Sequence, residues 1–181
     1  PCAAPLPATD SRLTVLPREV PFVTIVSESD AEQAAPRHRA DSDAPDDVFR
    51  WYEIAGAARA GPFGAGLPER GDVAIAGLTL PAADLCREPL SDLPQGLAYN
   101  AIWQQLDDWQ VRKLPMVSVP RLEVNAGASQ GGWRLPQLVV PLARYVGRNV
   151  AQQASDAARL ACESTGAMER FEAARLKTLY R

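Results

Sequence analysis

Asp30 follows the apolar run Phe22-Val23-Thr24-Ile25-Val26 and the small polar residues Ser27-Glu28-Ser29. A carboxylate just past a buried strand is placed to orient a histidine and balance its charge, the part the acid plays in acid–histidine–nucleophile catalysis. The same carboxylate also suits an N-cap or a loop ion pair. Glu28 stands nearer the strand and is the weaker substitute. The only imidazole, His38, lies in Pro36-Arg37-His38-Arg39. On no strand end and no rigid element, it reads as a solvated loop histidine, with the alternative that it reaches the site as a base. A second apolar run, Val48 to Ala55, stops at Gly56-Ala57-Ala58-Arg59. Arg59 stays protonated at any working pH and cannot serve as a general base. Asp30 and Arg59 are therefore expected to pair across adjacent strand ends.

Gly127-Ala128-Ser129-Gln130-Gly131 fits the pattern G-x-S-x-G. That pattern exposes a nucleophile only on a sharp strand-to-helix turn. Leu122 to Asn125 before it is strand-like, but Gly132-Trp133-Arg134-Leu135-Pro136 after it cannot open a helix of useful length. A glycine-rich turn between two extended segments is the expectation, with Ser129 no nucleophile.

The elements that position these residues follow from periodicity. Phe22–Val26, entered through Pro21, suits a strand buried on both faces of a parallel sheet. Val48–Ala55 is a second strand with Phe49, Trp51, Tyr52 and Ile54 as its bulk. Ala31 to Asp47 is too irregular for a helix. Gly56 to Gly71 reads as a long loop, Val73 to Leu80 as a short peripheral strand, and Pro81 to Gly96 as loop again. Leu97 to Lys113 is the clearest helix, with Tyr99, Ile102, Trp103, Leu106 and Trp109 as one apolar stripe, an Asp108–Arg112 pair on its surface, and Pro115 as its stop. Arg121–Asn125 and Trp133–Tyr145 read as extended. Two Ala-rich helices follow, Val150 to Cys162 and Ala167 to Tyr180, the second sharing Met168, Phe171 and Leu179 on one face and capped by Ser164 or Thr165.

The length of 181 residues supports one domain with a real core. A net charge of −3 with scattered basic residues excludes a nucleic-acid footprint. Cys2, Cys86 and Cys162 are an odd, sparse set, read as free thiols rather than a disulfide framework. With one histidine they make a zinc site improbable, and no cofactor is called for. No apolar run reaches the roughly 18 residues of a membrane-spanning helix, and no signal peptide is visible. The chain begins at Pro1 rather than Met, so a preceding stretch is expected to have been removed; the compartment is left open.

The run Val20-Pro-Phe-Val-Thr-Ile-Val-Ser-Glu-Ser-Asp30, with Phe49-Arg-Trp-Tyr-Glu-Ile-Ala-Gly-Ala-Ala-Arg59, resembles the C-terminal part of a bacterial family of α/β-hydrolase domain proteins. Tyr99-Asn100-Ala101 through Trp109, Pro120 to Val124, and Gly131-Gly-Trp-Arg-Leu-Pro136 through Pro141 are similar to the same family's closing region. The resemblance implies an α/β fold, the C-terminal portion of a doubly wound sheet, with the two runs as its last two parallel strands and helices flanking them. Residues 1–19 would be an arm, 20–148 the hydrolase-like region and 149–181 a C-terminal helical pair. Asp30 would be the acid of a Ser–acid–His triad, and Arg59 would stand at the family's histidine. The nucleophile elbow and oxyanion loop would lie upstream of Pro1. The resemblance thus implies a relative of carboxylic ester hydrolases that is inactive alone. The alternative is a non-enzymatic pseudoenzyme module. It would bind a small ester or carboxylate through Arg59, or pair with its missing N-terminal half or a second chain along an exposed sheet edge.

Overall fold

A computed structural model of the chain describes residues 6–7, 10–59, 85–125, 128–153 and 155–181. The expected segment Val73–Leu80 and most of the Gly56–Gly71 loop lie outside the described residues, as does Cys2. At the centre are β1 (Phe22–Ser27) and β3 (Asp47–Ile54), parallel neighbours in the register Phe22↔Phe49 to Ser27↔Ile54. β2 (Ser42–Ala44) pairs antiparallel with the other edge of β3, giving the order β1-β3-β2.

Alternation along β3 splits its bulk between two layers. Tyr52 and Ile54 face a cluster with Ala98, Ile102 and Trp109 of α2 (Gly96–Arg112), joined by Leu93, Met116 and Leu135. Phe49 and Trp51 face the other way, against Val26, Ala34 of α1 (Glu28–Ala34) and Val15 of the N-terminal arm. Helices on both sides explain why β3 is a nearly continuous apolar run. β1 is less covered: Val23, Thr24 and Ile25 are only half-buried.

Arg50 sits in that run yet is buried, because its guanidinium is fully provided for. It donates to the Met116, Ser42 and Phe49 carbonyls and to Asp43 Oδ1 at 2.7–3.0 Å, and lies over the Trp109 ring. A buried guanidinium is tolerated when paired and hydrogen-bonded in this way.

The remaining strands form two antiparallel pairs, β4 (Glu123–Asn125) with β5 (Ala128–Gln130), and β6 (Ala143–Val146) with β7 (Ala167–Arg170). The short helix α3 (Pro136–Val139) precedes β6; α4 (Asp156–Ser164) and α5 (Ala173–Leu179) flank β7.

Several expectations are corrected. Residues 28–34 form a helix although the stretch after Asp30 is polar and irregular; Ala31 and Ala34 are buried and supply its inner face. Ala167–Arg170 is a strand, not the start of a helix, because pairing with β6 overrides the helical preference of Ala, Met and Glu. Trp133 to Tyr145 is interrupted by α3. Trp103 is 63% exposed; about 100° per residue places it beyond Tyr99 at the margin of the stripe, while Ile102 and Trp109 hold its centre. Ser155, not Ser164, caps a C-terminal helix, accepting from the Ala158 N–H. α2 stops at Lys113, whose φ of 59° turns the chain before Pro115 is reached.

Cys86 and Cys162 are joined in a disulfide with Cα atoms 5.6 Å apart, where free thiols were expected. A separation of 76 residues gives no cue to such a pairing. It is the packing of residues 85–91 against the C-terminal elements that brings the sulfurs together. That packing rests on the Arg87 N–H to Val150 C=O and Met168 N–H to Pro89 C=O bonds, and on Asn149, whose side chain bonds the backbone of Glu88 at both ends.

Candidate functional site

The carboxyl ends of β1 and β3 lie side by side, and both strands end on small residues that let side chains converge. β1 ends at Ser27, whose hydroxyl donates to Asp30 Oδ2 at 2.9 Å and contacts the Ser29 hydroxyl at 2.7 Å. Asp30 stands in the first turn of α1, where the helix dipole favours a carboxylate. β3 ends in the corner Gly56-Ala57-Ala58. Gly56 has φ +68°, a conformation that glycine adopts without strain.

That corner delivers Arg59, whose Nε donates to Asp30 Oδ1 at 3.2 Å and whose Nη2 donates to the same oxygen. The guanidinium is half-exposed and the carboxylate one-quarter exposed. Partial burial pushes the Asp30 pKa up. The hydrogen bonds from Arg59 and Ser27, with the positive charges of Arg59 and Arg148, outweigh that and hold it below the usual carboxylate range. Arg59 is raised in turn, chiefly by its hydrogen bond to Asp30. On the other side, burial and then the Asp30 charge push the Tyr99 hydroxyl up.

Two further side chains fasten the corner. Gln95 accepts from the Ala58 N–H at 3.0 Å and donates to the Ala58 carbonyl at 3.1 Å. Glu28 accepts from the Gly56 N–H at 2.8 Å and from the Gly147 N–H at 2.9 Å, one through each oxygen. With both oxygens engaged by backbone, Glu28 is not free to serve as an acid beside Asp30. Sequence spacing gave no sign of either residue's part, since their partners are backbone groups distant in the chain.

His38 is not a solvated loop residue. Its Nε2 lies 2.6 Å from Glu53 Oε1, and its ring meets Trp51 edge-on at 4.9 Å. Glu53 also accepts from the Trp51 indole N–H and the Leu122 N–H, and its side chain is 1% exposed. The imidazole thus serves a buried carboxylate on the Phe49/Trp51 side of β3. Ser129 lies within β5, opposite Val124, and the Arg134 guanidinium holds its carbonyl at 3.0 Å. No helix follows it directly: Gly131 and Gly132 turn the chain with positive φ before Trp133 joins Ile54.

On the other face of α1, Glu28 and Glu32 border a cavity of about 590 Å³ whose far wall is β6, β7 and residues 147–150. Among the described residues, no group of three or more His, Cys, Asp and Glu is placed to hold a metal ion, and no helix is long and apolar enough to cross a membrane.

The family profile described as alpha/beta hydrolase domain matches residues 2–181. No curated protein matches the chain. No solved structure matches it either.

Proposed function

This chain belongs to the alpha/beta hydrolase domain family, and on that footing we propose that it supplies the acid side of a hydrolase-type site in which an arginine takes the place of the base. In this reading β1 and β3 correspond to the last two strands of a larger doubly wound sheet. Asp30 is the triad acid, and Arg59 occupies the histidine's place after the strand-end corner. The nucleophile comes from outside these residues, and the chemistry is that of a family related to carboxylic ester hydrolases.

The observation that carries the reading is the Arg59–Asp30 pair at the carboxyl ends of adjacent parallel strands, where open α/β sheets hold their chemistry. A triad acid works by orienting an imidazole that takes a proton from the nucleophile and passes it to the leaving group. A guanidinium in that place keeps its protons. The carboxylate is then neutralised by a permanent cation, and the proton relay has no carrier. Loss of one triad member leaves only the residual catalysis due to binding and the oxyanion hole.

The chain is therefore expected not to hydrolyse p-nitrophenyl butyrate faster than buffer does. Turnover well above buffer that disappears in Asp30→Asn would show a working relay and overturn this reading.

A second reading, a non-enzymatic module that pairs with another chain, is favoured by one observation. β1 is an edge strand among the described residues, with Val23–Ile25 half-buried. Edges of that kind invite a further strand. The partner is then an N-terminal half or a second copy, and Arg59 is the group that meets a small ester or carboxylate ligand. Sedimentation at decreasing concentration is expected to show a dimer dissociating; a compact monomer at all concentrations would count against it.

A further inference from the structure

Resting on the reading of Asp30 and Arg59 just given, we infer that Glu28 is the positioning residue of this site. Its carboxylate ties the Gly56 corner and the Gly147 turn to the head of α1, and so sets Arg59 against Asp30. Three chain segments meet there that nothing in their sequence order joins. The first residue of α1 provides the carboxylate. The corner after β3 and the turn after β6 each provide one N–H, at 2.8 and 2.9 Å. An ionised carboxylate accepting two backbone N–H bonds forms charge-assisted bonds, roughly twice as strong as neutral ones.

The turn is packed too tightly against the corner and the head of α1 for a side chain at Gly147. A Cβ on Gly147 would stand 2.6 Å from the Ala57 carbonyl oxygen and 2.7 Å from the Ser29 nitrogen. Glycine there lets the backbone of the turn lie directly on both strand ends. Arg148 then closes the arrangement from outside, donating through Nε at 2.8 Å and Nη2 at 2.5 Å to the Ser29 carbonyl. Asp30 is faced by Ser27 from the end of β1, Arg59 from the β3 corner, Arg148 from this turn and Tyr99 from α2. Of these, Arg59 and Arg148 both reach their places through segments that Glu28 anchors. Without the anchor, the corner keeps Gln95, its own Ala57 N–H to Ile54 carbonyl bond and the Ser29 N–H to Ala57 carbonyl bond, the last two at 3.3 Å.

The test follows the Asp30 carboxyl ¹³C signal against pH in the full chain. Arg59→Ala is expected to move its midpoint up toward the ordinary carboxylate value, because the paired cation is gone. Glu28→Gln is expected to move it in the same direction although Glu28 does not touch Asp30. Glu28→Asp, which keeps the charge but shortens the reach by one methylene, is expected to do likewise, and it decides the matter if Glu28→Gln does not fold. Ser155→Ala serves as the control. It removes the side-chain cap of α4, outside the corner and the Gly147 turn, and is expected to lower the Tm with the Asp30 midpoint unchanged. Folded Glu28 variants with the wild-type midpoint would overturn the positioning role and leave the site reading standing. A midpoint unmoved by Arg59→Ala would instead overturn the site reading itself.

Discussion

Glu53→Ala is expected to lower the unfolding free energy by about 2–6 kcal/mol, the cost of leaving two buried donors unmade at about 1–3 kcal/mol each. The Glu53 side chain is 1% exposed and serves three donors: His38 Nε2 at 2.6 Å, the Trp51 indole N–H at 3.2 Å and the Leu122 N–H at 2.6 Å. Truncation strands the indole and the Leu122 N–H, each a buried donor worth about 1–3 kcal/mol when left unmade. His38→Ala acts from the other side, leaving the carboxylate without its imidazole. The two substitutions share one contact, so the double variant is expected to be less destabilised than the sum of the singles. Urea unfolding monitored by tryptophan fluorescence measures all three. A Glu53→Ala midpoint indistinguishable from wild type would show that the network is not holding residues 118–122 to the sheet.

Tyr52→Ala is expected to cost a similar amount, about 3–5 kcal/mol, the range for deleting a buried aromatic ring. Tyr52 is fully buried, packs edge-on against Trp133 at 5.2 Å and donates its hydroxyl to the Val117 carbonyl at 2.5 Å. Burial, helped by the Asp41 charge and opposed by Arg50, pushes its pKa up to about 12. The folded state therefore holds the phenol proton more tightly than the unfolded chain, whose pKa is about 10. The corresponding stability is fully present below pH 10 and is lost as pH rises through about 12. Tyr52→Phe loses the hydroxyl's hydrogen bond and is expected to flatten this alkaline fall. Thermal melts between neutral and alkaline pH read it directly. An alkaline fall as steep in Tyr52→Phe as in wild type would assign it to other groups.

Both effects arise on β3, the element most legible in the sequence. Its aromatic residues alternate between two covered faces, and periodicity alone is enough to see that. The two strand ends, with Asp30 and Arg59, were legible for the same reason: apolar runs that stop at small residues mark the carboxyl edge of a sheet. What escaped was whatever depended on a partner far along the chain. His38 looked solvated because its neighbours are Pro and Arg, yet Glu53 from the strand claims it. Arg50 is held inside an apolar run by the Met116 carbonyl and the Trp109 ring, both far along the chain. Ala167–Arg170 has helical composition and becomes a strand only because β6 offers a ladder. Glu28 resembled a spare acid, and only the placement of Gly56 and Gly147 gives it a different part.

The Cys86–Cys162 bond has a consequence for where this fold is at home. It closes a loop of 76 residues in sequence that includes α2 and β4 to β6. In an oxidising setting the closure limits the freedom of the unfolded chain, a contribution of about 2–5 kcal/mol in small domains. Under a glutathione-buffered cytosolic potential, thiols are kept reduced and such a contribution is withdrawn. Residues 85–91 would then depend on Asn149 and a few backbone bonds to stay against β7. The same sequence thus has two stabilities, and the redox potential of its surroundings selects between them.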